Sequence, residues 1–302
     1  MKIQVSELKT KRQWRSATGL DKQKFYEFLV EYEKCYLKTY GTKLSKRQAE
    51  THIAYCIRTE EDQLLFTLFS LKSGLTYDVL GLVCGMNGAN AKRNQTAGLQ
   101  ILAQTLENMG HTPKRQILTV ADLEACFPNT DELLMDATEQ RIQRSSNFEK
   151  QKKYFSGKKK CHTVKSMIIS DKSRRIGYIS CCTIGKQHDY GFLKQLFPPQ
   201  KPWFENFYLK VDLGYLGIVK DYVCKGVSIP HKKPRNAELT EIQVAENKLI
   251  SAERVPVEHS IGGIKRFRVL SDRLRIHDLS LYNHILGVCA ALWNFFLIPS
   301  NT

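Results

Sequence analysis

Nowhere in these 302 residues do two cysteines stand as Cys-x-x-Cys, although nine cysteines are present. The nine are odd in number and scattered, apart from the adjacent Cys181 and Cys182, a pair that rarely bridges. This usage argues against a zinc site and a disulfide framework, and fits reduced thiols in a cytosol. Long hydrophobic runs are also missing. The stretch LGVCAALWNFFLIP, residues 286–299, is too short to span a bilayer and reads as a buried C-terminal helix. The start, MKIQVSELKTKRQWR, has no apolar centre of the kind a signal peptide needs. There is no internal repeat, and no motif sets a histidine with a serine or cysteine as a base–nucleophile pair, so covalent catalysis is discounted. Acid is scarce as well: 30 Asp and Glu face 46 Lys and Arg, a net charge of +16. Such an excess calls for a polyanionic partner, nucleic acid before membrane, and it is concentrated after residue 125.

What is present suffices for a substantial core: 42% of the residues are hydrophobic, and the length suits two domains. Residues 1–20 are basic and read as loosely ordered. Phe25, Phe28, Leu29, Tyr32 and Tyr36 recur at helical spacing over 21–40, with Asp21 as N-cap. A short helix is expected over 45–56. Three more follow at 61–71, 77–83 and 89–109, with Thr76 capping the second, and Gly85 with Asn87–Gly88 turning into the third. That spacing matches a helix-turn-helix, and the third helix presents Asn90, Lys92, Arg93 and Asn94 near its start. These side chains suit phosphates and base edges in double-stranded DNA, although an ordinary bundle with solvated polar residues reads the same way. Residues 110–116 form the linker. The expected division is an all-α helix-turn-helix domain over 1–115 and a catalytic domain over 116–302.

Beyond the linker the period becomes extended. Strands are expected over 132–138, 158–171, 175–184, 206–211 and 223–230, with a tight turn at 171–173 and a short helix over 190–196. A long helix over 247–270 carries Arg254, Glu258 and Lys265 on one face, and Pro256 interrupts it or starts it. The simplest account of that face is an exposed ion pair between residues four apart. The acids point elsewhere. Asp136 lies on the first strand, Asp212 just past the fourth, and Glu258 on the helix after the fifth. Strand-strand-strand-helix-strand-helix with acids at those places is the layout of a ribonuclease-H-like α/β core, a mixed sheet with helices. Three carboxylates repel unless cations hold them together, and two Mg2+ or Mn2+ ions suit oxygen-only ligands. Asp189 is the rival for second acid, with a helix N-cap as its other role. Lys158, Lys159 and Lys160 form either a solvated turn or a contact to the DNA backbone. His162 reads as a strand histidine, and His188 as a capping-loop residue.

Six segments occur in a familiar order: MDATEQRIQR from Met135, YFSGKKKCHTVK from Tyr154, GKQHD from Gly185, VDLGYLG from Val211, IPHKKPR from Ile229 and RVPVEHSIGGIKRFRVLSDRLR from Arg254. Together they cover roughly residues 60–300 in the order of a family. The chain resembles the bacterial insertion-sequence DDE transposases, in the group with an N-terminal helix-turn-helix. Many of those carry a Tyr-Arg-Glu-Lys signature on the catalytic helix. Arg254, Glu258 and Lys265 fit it, while Ser251 stands at the tyrosine position. The resemblance implies binding to terminal inverted repeats, cleavage of phosphodiesters with two divalent metals, transfer of the 3′-hydroxyl ends to target DNA, and a homodimer holding two ends. Arg254 and Lys265 would then hold phosphates. Two alternatives stay open: a domesticated, catalytically inactive DNA-binding protein, and a stand-alone magnesium-dependent endonuclease.

Overall fold

The computed structural model describes residues 3–51, 55–276 and 278–299. The chain divides into two compact units, residues 1–112 with 264–302, and residues 113–263.

The first unit is helical. Its N-terminal segment is not loose: α1 (Lys11–Thr18) is capped reciprocally by Thr10 and Gln13 and buries Trp14. A capping box of this kind satisfies two orphan backbone donors at once, and it was legible in the sequence. Helix α2 (Lys22–Tyr40) starts at the Asp21 cap and ends at Gly41, and buries Phe25, Phe28, Tyr32 and Tyr36. Helix α3 (Leu44–Ala49) is shorter than expected, and residues 52–54 lie outside the described residues. Then come α4 (Glu60–Ser73), α5 (Tyr77–Cys84) and α6 (Gly88–Asn108). Thr76 caps α5, Gly85 ends it in the left-handed region, and Asn87 caps α6. The turn is tight: a Cβ on Gly81 would stand 2.6 Å from the Met86 carbonyl oxygen, so only glycine fits there.

The second unit is a mixed α/β layer. Its elements are α7 (Val120–Cys126), β1 (Glu132–Arg141), α8 (Phe148–Tyr154), β2 (Phe155–Ser156), β3 (Cys161–Ser170), β4 (Ile176–Ile179), β5 (Thr183–Ile184), α9 (Asp189–Leu196), β6 (Phe204–Lys210), α10 (Ile218–Asp221), β7 (Cys224–Ser228) and α11 (Glu241–Lys265). β1 pairs antiparallel with β3 on one side and parallel with β6 on the other, and β7 runs parallel to β6. The outer edge of β3 is shared end to end by β2, β5 and β4, all antiparallel. The single third strand expected over 175–184 is thus two pieces. Ser180 sits between them, and its hydroxyl accepts the Met167 N–H in place of a ladder carbonyl. Lys114, in the expected linker, bridges to Tyr178 and so joins this sheet. Leu133 and Met135 of β1, Met167 and Ile169 of β3, and Phe192 and Leu193 of α9 share one core. Pro256 lies inside α11, which starts at Glu241, earlier than expected.

The chain then returns to the helical unit. Helix α12 (Leu279–Leu297) is long and apolar enough, by length and composition, to cross a membrane, yet most of it is buried. Phe295 packs edge-on against Phe28, and the Lys24 ammonium donates to the carbonyls of Phe295 and Phe296 at its C-terminal end. Residues 264–302 therefore group with the N-terminal helices, where the sequence had placed them with the catalytic half.

Candidate active site

Register brings the first two acids together. The last parallel pair between β1 and β6 is Leu134 with Lys210. Asp136 on β1 and Asp212 just past the end of β6 each lie two residues beyond that pair, and the two strands run about 4.8 Å apart. Alternation along β1 sends Leu133 and Met135 into the core and turns Asp136 to the opposite face. Asp212 caps the turn Leu213–Tyr215, its Oδ1 accepting the Gly214 N–H at 2.7 Å.

Asp189 is the first residue of α9, whose N-cap is His188. It converges on the same place as Asp212. A Cβ on Gly214 would stand 2.8 Å from Oδ1 of Asp212 and 3.3 Å from Oδ2 of Asp189. Asp189 already has a cationic partner, however. Lys165 of β3 donates to its Oδ1 at 2.7 Å and to the Gln187 carbonyl at 2.6 Å. The same ammonium stands 3.9 Å from Glu139, its cross-strand neighbour on β1, and the Thr163 hydroxyl donates to Glu139 at 2.7 Å. The side chains of Lys165 and Glu139 are only 7% and 6% exposed, so this is a buried ion group beside the acids.

Arg254 of α11 reaches toward Asp136, Nη to Oδ2 at 4.0 Å, rather than pairing with Glu258 one turn on. Its Nε is buried and has no hydrogen-bond partner among the described residues. Burial first, against the opposing Ala137 N–H and Arg254 and with the charges of Asp212 and Asp189 adding to it, pushes the Asp136 carboxyl up to about 6. Tyr215 stands in the same field. Burial first, then the charges of Asp189, Asp136 and Asp212, keep its hydroxyl protonated well above the ordinary tyrosine value, and that hydroxyl too lacks a partner. Glu258 is exposed on α11 and forms no ion pair or hydrogen bond among the described residues. Lys265 is the last residue of that helix. Among the described residues, no three His, Cys, Asp or Glu side chains are close enough to form a metal-binding group.

The structure thus gathers Asp136, Asp189, Asp212 and Arg254, and leaves Glu258 one helical turn from Arg254. The residues that sequence reasoning passed over are Glu139, Lys165 and Tyr215. Their signals were present as the cross-strand pairing of two opposite charges, and as the tyrosine of VDLGYLG. The remaining expected DNA-contact residues lie on other elements. Lys92 and Arg93 are exposed on the first turns of α6, with Arg93 held by the Asn90 side chain at 2.9 Å. The Asn94 amide donates inward to the Asn90 carbonyl. Lys158, Lys159 and Lys160 are exposed at the tip of the β2–β3 hairpin. Glu253 is half exposed and stands 3.4 Å from Lys210.

The sequence profile of the DDE superfamily endonucleases matches residues 135–294, just over half of the chain. The chain belongs to that family. The match takes in Asp136, Asp189, Asp212, Arg254, Glu258 and Lys265. This DDE superfamily endonuclease is also 28% identical, over 277 residues and 91% of each chain, to a probable transposase for insertion sequence element IS702 of Microchaete diplosiphon. Both comparisons bear out the resemblance to the insertion-sequence DDE transposases. No solved structure matches.

Proposed function

We propose that this DDE superfamily endonuclease is an insertion-sequence transposase: it binds the terminal inverted repeats of its element, hydrolyses a phosphodiester at each end, and joins the freed 3′-hydroxyls to target DNA. The observation that carries the reading is the register of β1 and β6, which lays Asp136 beside Asp212 with Arg254 across from them. The strand order supports a ribonuclease-H-like core, with an antiparallel β1–β3–β4/β5 meander and β6 then β7 added in parallel beside β1.

The donors are all carboxylate oxygen, which suits Mg2+ or Mn2+, and the buried Asp136 carboxyl stays raised despite Arg254 at 4.0 Å. Among the described residues no three acids stand close enough to form a metal-binding group, so Glu258 would have to close on Asp136 and Asp212 with the ions. Asp136, Asp212 and Glu258 would hold two such ions. Asp212 is preferred to Asp189 because Lys165 already engages Asp189. Bound there, the ions would supply an activated oxygen nucleophile and charge for the leaving oxygen. The chain's own cations do the rest. Arg254, with an unsatisfied Nε, and Lys265 neutralise phosphate oxygens, and the buried sheet under Asp136 keeps bulk water from one side of the site. In the helical unit, α5, the Gly85 turn and α6 are read as the helix-turn-helix, with Asn90, Lys92, Arg93 and Asn94 facing the DNA. A homodimer holds the two ends.

The test is strand transfer. Purified chain is mixed with a labelled duplex ending in the element's own terminal repeat and a supercoiled target, in Mg2+, in Mn2+ and in chelator. Metal-dependent joined products support the proposal; nicking without joining reduces it to an endonuclease.

A further inference from the structure

Opposite charges and buried acids explain one side of the second unit. Another side holds an open cleft of about 750 Å³ with a different chemistry. It is lined by Arg144, Phe148, Lys152, Phe155, His162 and Lys186, and no acidic side chain is among its lining residues. Phe148 is 64% exposed and Phe155 41% exposed. Two phenylalanines left in water on a short helix and a two-residue strand are unfavourable by the hydrophobic effect unless something covers them. Their surroundings specify what. The Lys152 ammonium lies 4.4 Å from the Phe148 ring centroid, and the His162 ring meets Phe155 edge-on at 5.7 Å. Arg144 is oriented by a hydrogen bond to Gln151. The three lysines at the hairpin tip, Lys158 to Lys160, continue the positive charge from Gly157, which also lines the cleft.

We infer that this cleft binds unpaired nucleotides of a DNA strand, stacking a base on Phe148, the more exposed of the two rings, while Arg144, Lys152 and Lys186 hold its phosphates. Aromatic faces alternating with cations are how proteins take single strands, because every unpaired base offers a π-face and every linkage a charge. A duplex hides those faces, and would use the cations alone. A negatively charged peptide would satisfy the cations but leave the rings without planar partners. The cleft and Asp136 share one face of the sheet: Ile168, the cross-strand partner of Asp136, lies six residues from His162 along β3, about 20 Å. Lys186 immediately precedes Gln187, whose carbonyl holds the ammonium that engages Asp189. At 3.4 Å per stacked step, about 20 Å is about six nucleotides of one strand. A strand with its phosphate at the acids can therefore place an unpaired stretch in the cleft. The inference rests on the DNA-processing reading above, which its test separates from the cleft.

The experiment uses the full chain in chelator, a labelled oligothymidylate, and a perfect duplex of the same length. Affinities are read by anisotropy over a salt series, and base stacking by quenching of a 2-aminopurine placed in the single strand. Phe148→Ala should weaken single-strand binding about 10-fold, with the salt slope unchanged and duplex binding within about twofold. Phe148→Leu keeps the apolar body of an exposed position and should lose the quench as well, whereas Phe148→Trp should retain both. Lys152→Ala should instead lower the salt slope by about 0.7 of a unit for a single strand. Unchanged single-strand affinity in both Phe148→Ala and Phe148→Leu, or equal losses on single strand and duplex, would overturn the inference. Cleavage of the terminal-repeat duplex by wild type is scored in parallel. A chain that stacks bases but does not cleave fails the transposase reading alone; one that cleaves without stacking fails this inference alone.

Discussion

Asp136→Asn tests whether the acid at the centre of the site is held against its own solvation. In the folded chain its pKa lies near 6, against an ordinary value of 3.8. Each unit corresponds to 1.36 kcal/mol, so the charged form is disfavoured by roughly 3 kcal/mol, an upper figure because the side chain keeps some solvent contact. The sign follows from linkage. A raised carboxyl pKa means the folded state binds the proton more tightly than the unfolded state. Stability should therefore fall as pH rises from about 4 through 6, and level off above. Asparagine is neutral throughout and can still accept the Ala137 N–H, a bond of 2.7 Å in wild type. At pH 7.5 in chelator, the variant should melt above wild type by roughly 6–12 °C at most, from about 2–4 °C per kcal/mol, less whatever Arg254 loses with its partner. Near pH 4 the two should coincide. Melting scans of both proteins across this range are the assay. Millimolar Mn2+ should raise the wild-type transition at pH 7.5 and leave the variant nearly unmoved. A variant that melts below wild type at pH 7.5, or that shows the same pH dependence, would refute the reasoning.

Three further outcomes are expected. Lys165→Met leaves Glu139 and Asp189 buried beside each other without their shared cation; the loss should be about 3–5 kcal/mol, read as a lowered melting temperature that recovers partly as pH falls. Arg254→Ala should leave the fold intact and weaken DNA binding at the cleavage site, with the salt slope reduced by about 0.9 per phosphate contact; an unchanged slope would return Arg254 to a role as partner of Asp136 only. Arg93→Ala should cost about 1–3 kcal/mol of preference for terminal over random duplex if it reads a base edge, and a uniform loss on both would assign it to the backbone.

Local chemistry made most elements legible. Thr76, Gly85 and Asn87 fix the bounds of α5 and α6 through side-chain and left-handed caps, so those helices fall within a residue or two of expectation. Some signals were present and passed over. Thr240 and Gln243 bond each other's backbone N–H at the start of α11, six residues before the expected start, and Thr119 with Asp122 does the same for α7. Helix α8 lies in a polar stretch with no buried residue, so no apolar period announces it. What lay beyond reach was long-range. The grouping of α12 with α2 depends on Lys24 and Phe28 meeting residues near 295, and no spacing encodes that. At the site, the order of acids along the chain was readable, whereas the Lys165 bridge that distinguishes Asp189 from Asp212 appears only once β3 is laid against β1.

The most direct measurement is cleavage of a labelled terminal-repeat duplex in Mn2+ by wild type and four single variants, Asp136→Asn, Asp212→Asn, Glu258→Gln and Asp189→Asn. The account predicts no detectable product from the first three and residual cleavage from Asp189→Asn. Activity retained by Asp212→Asn and lost in Asp189→Asn would reverse the second acid, and cleavage by all four would contradict a carboxylate-held metal centre on these strands.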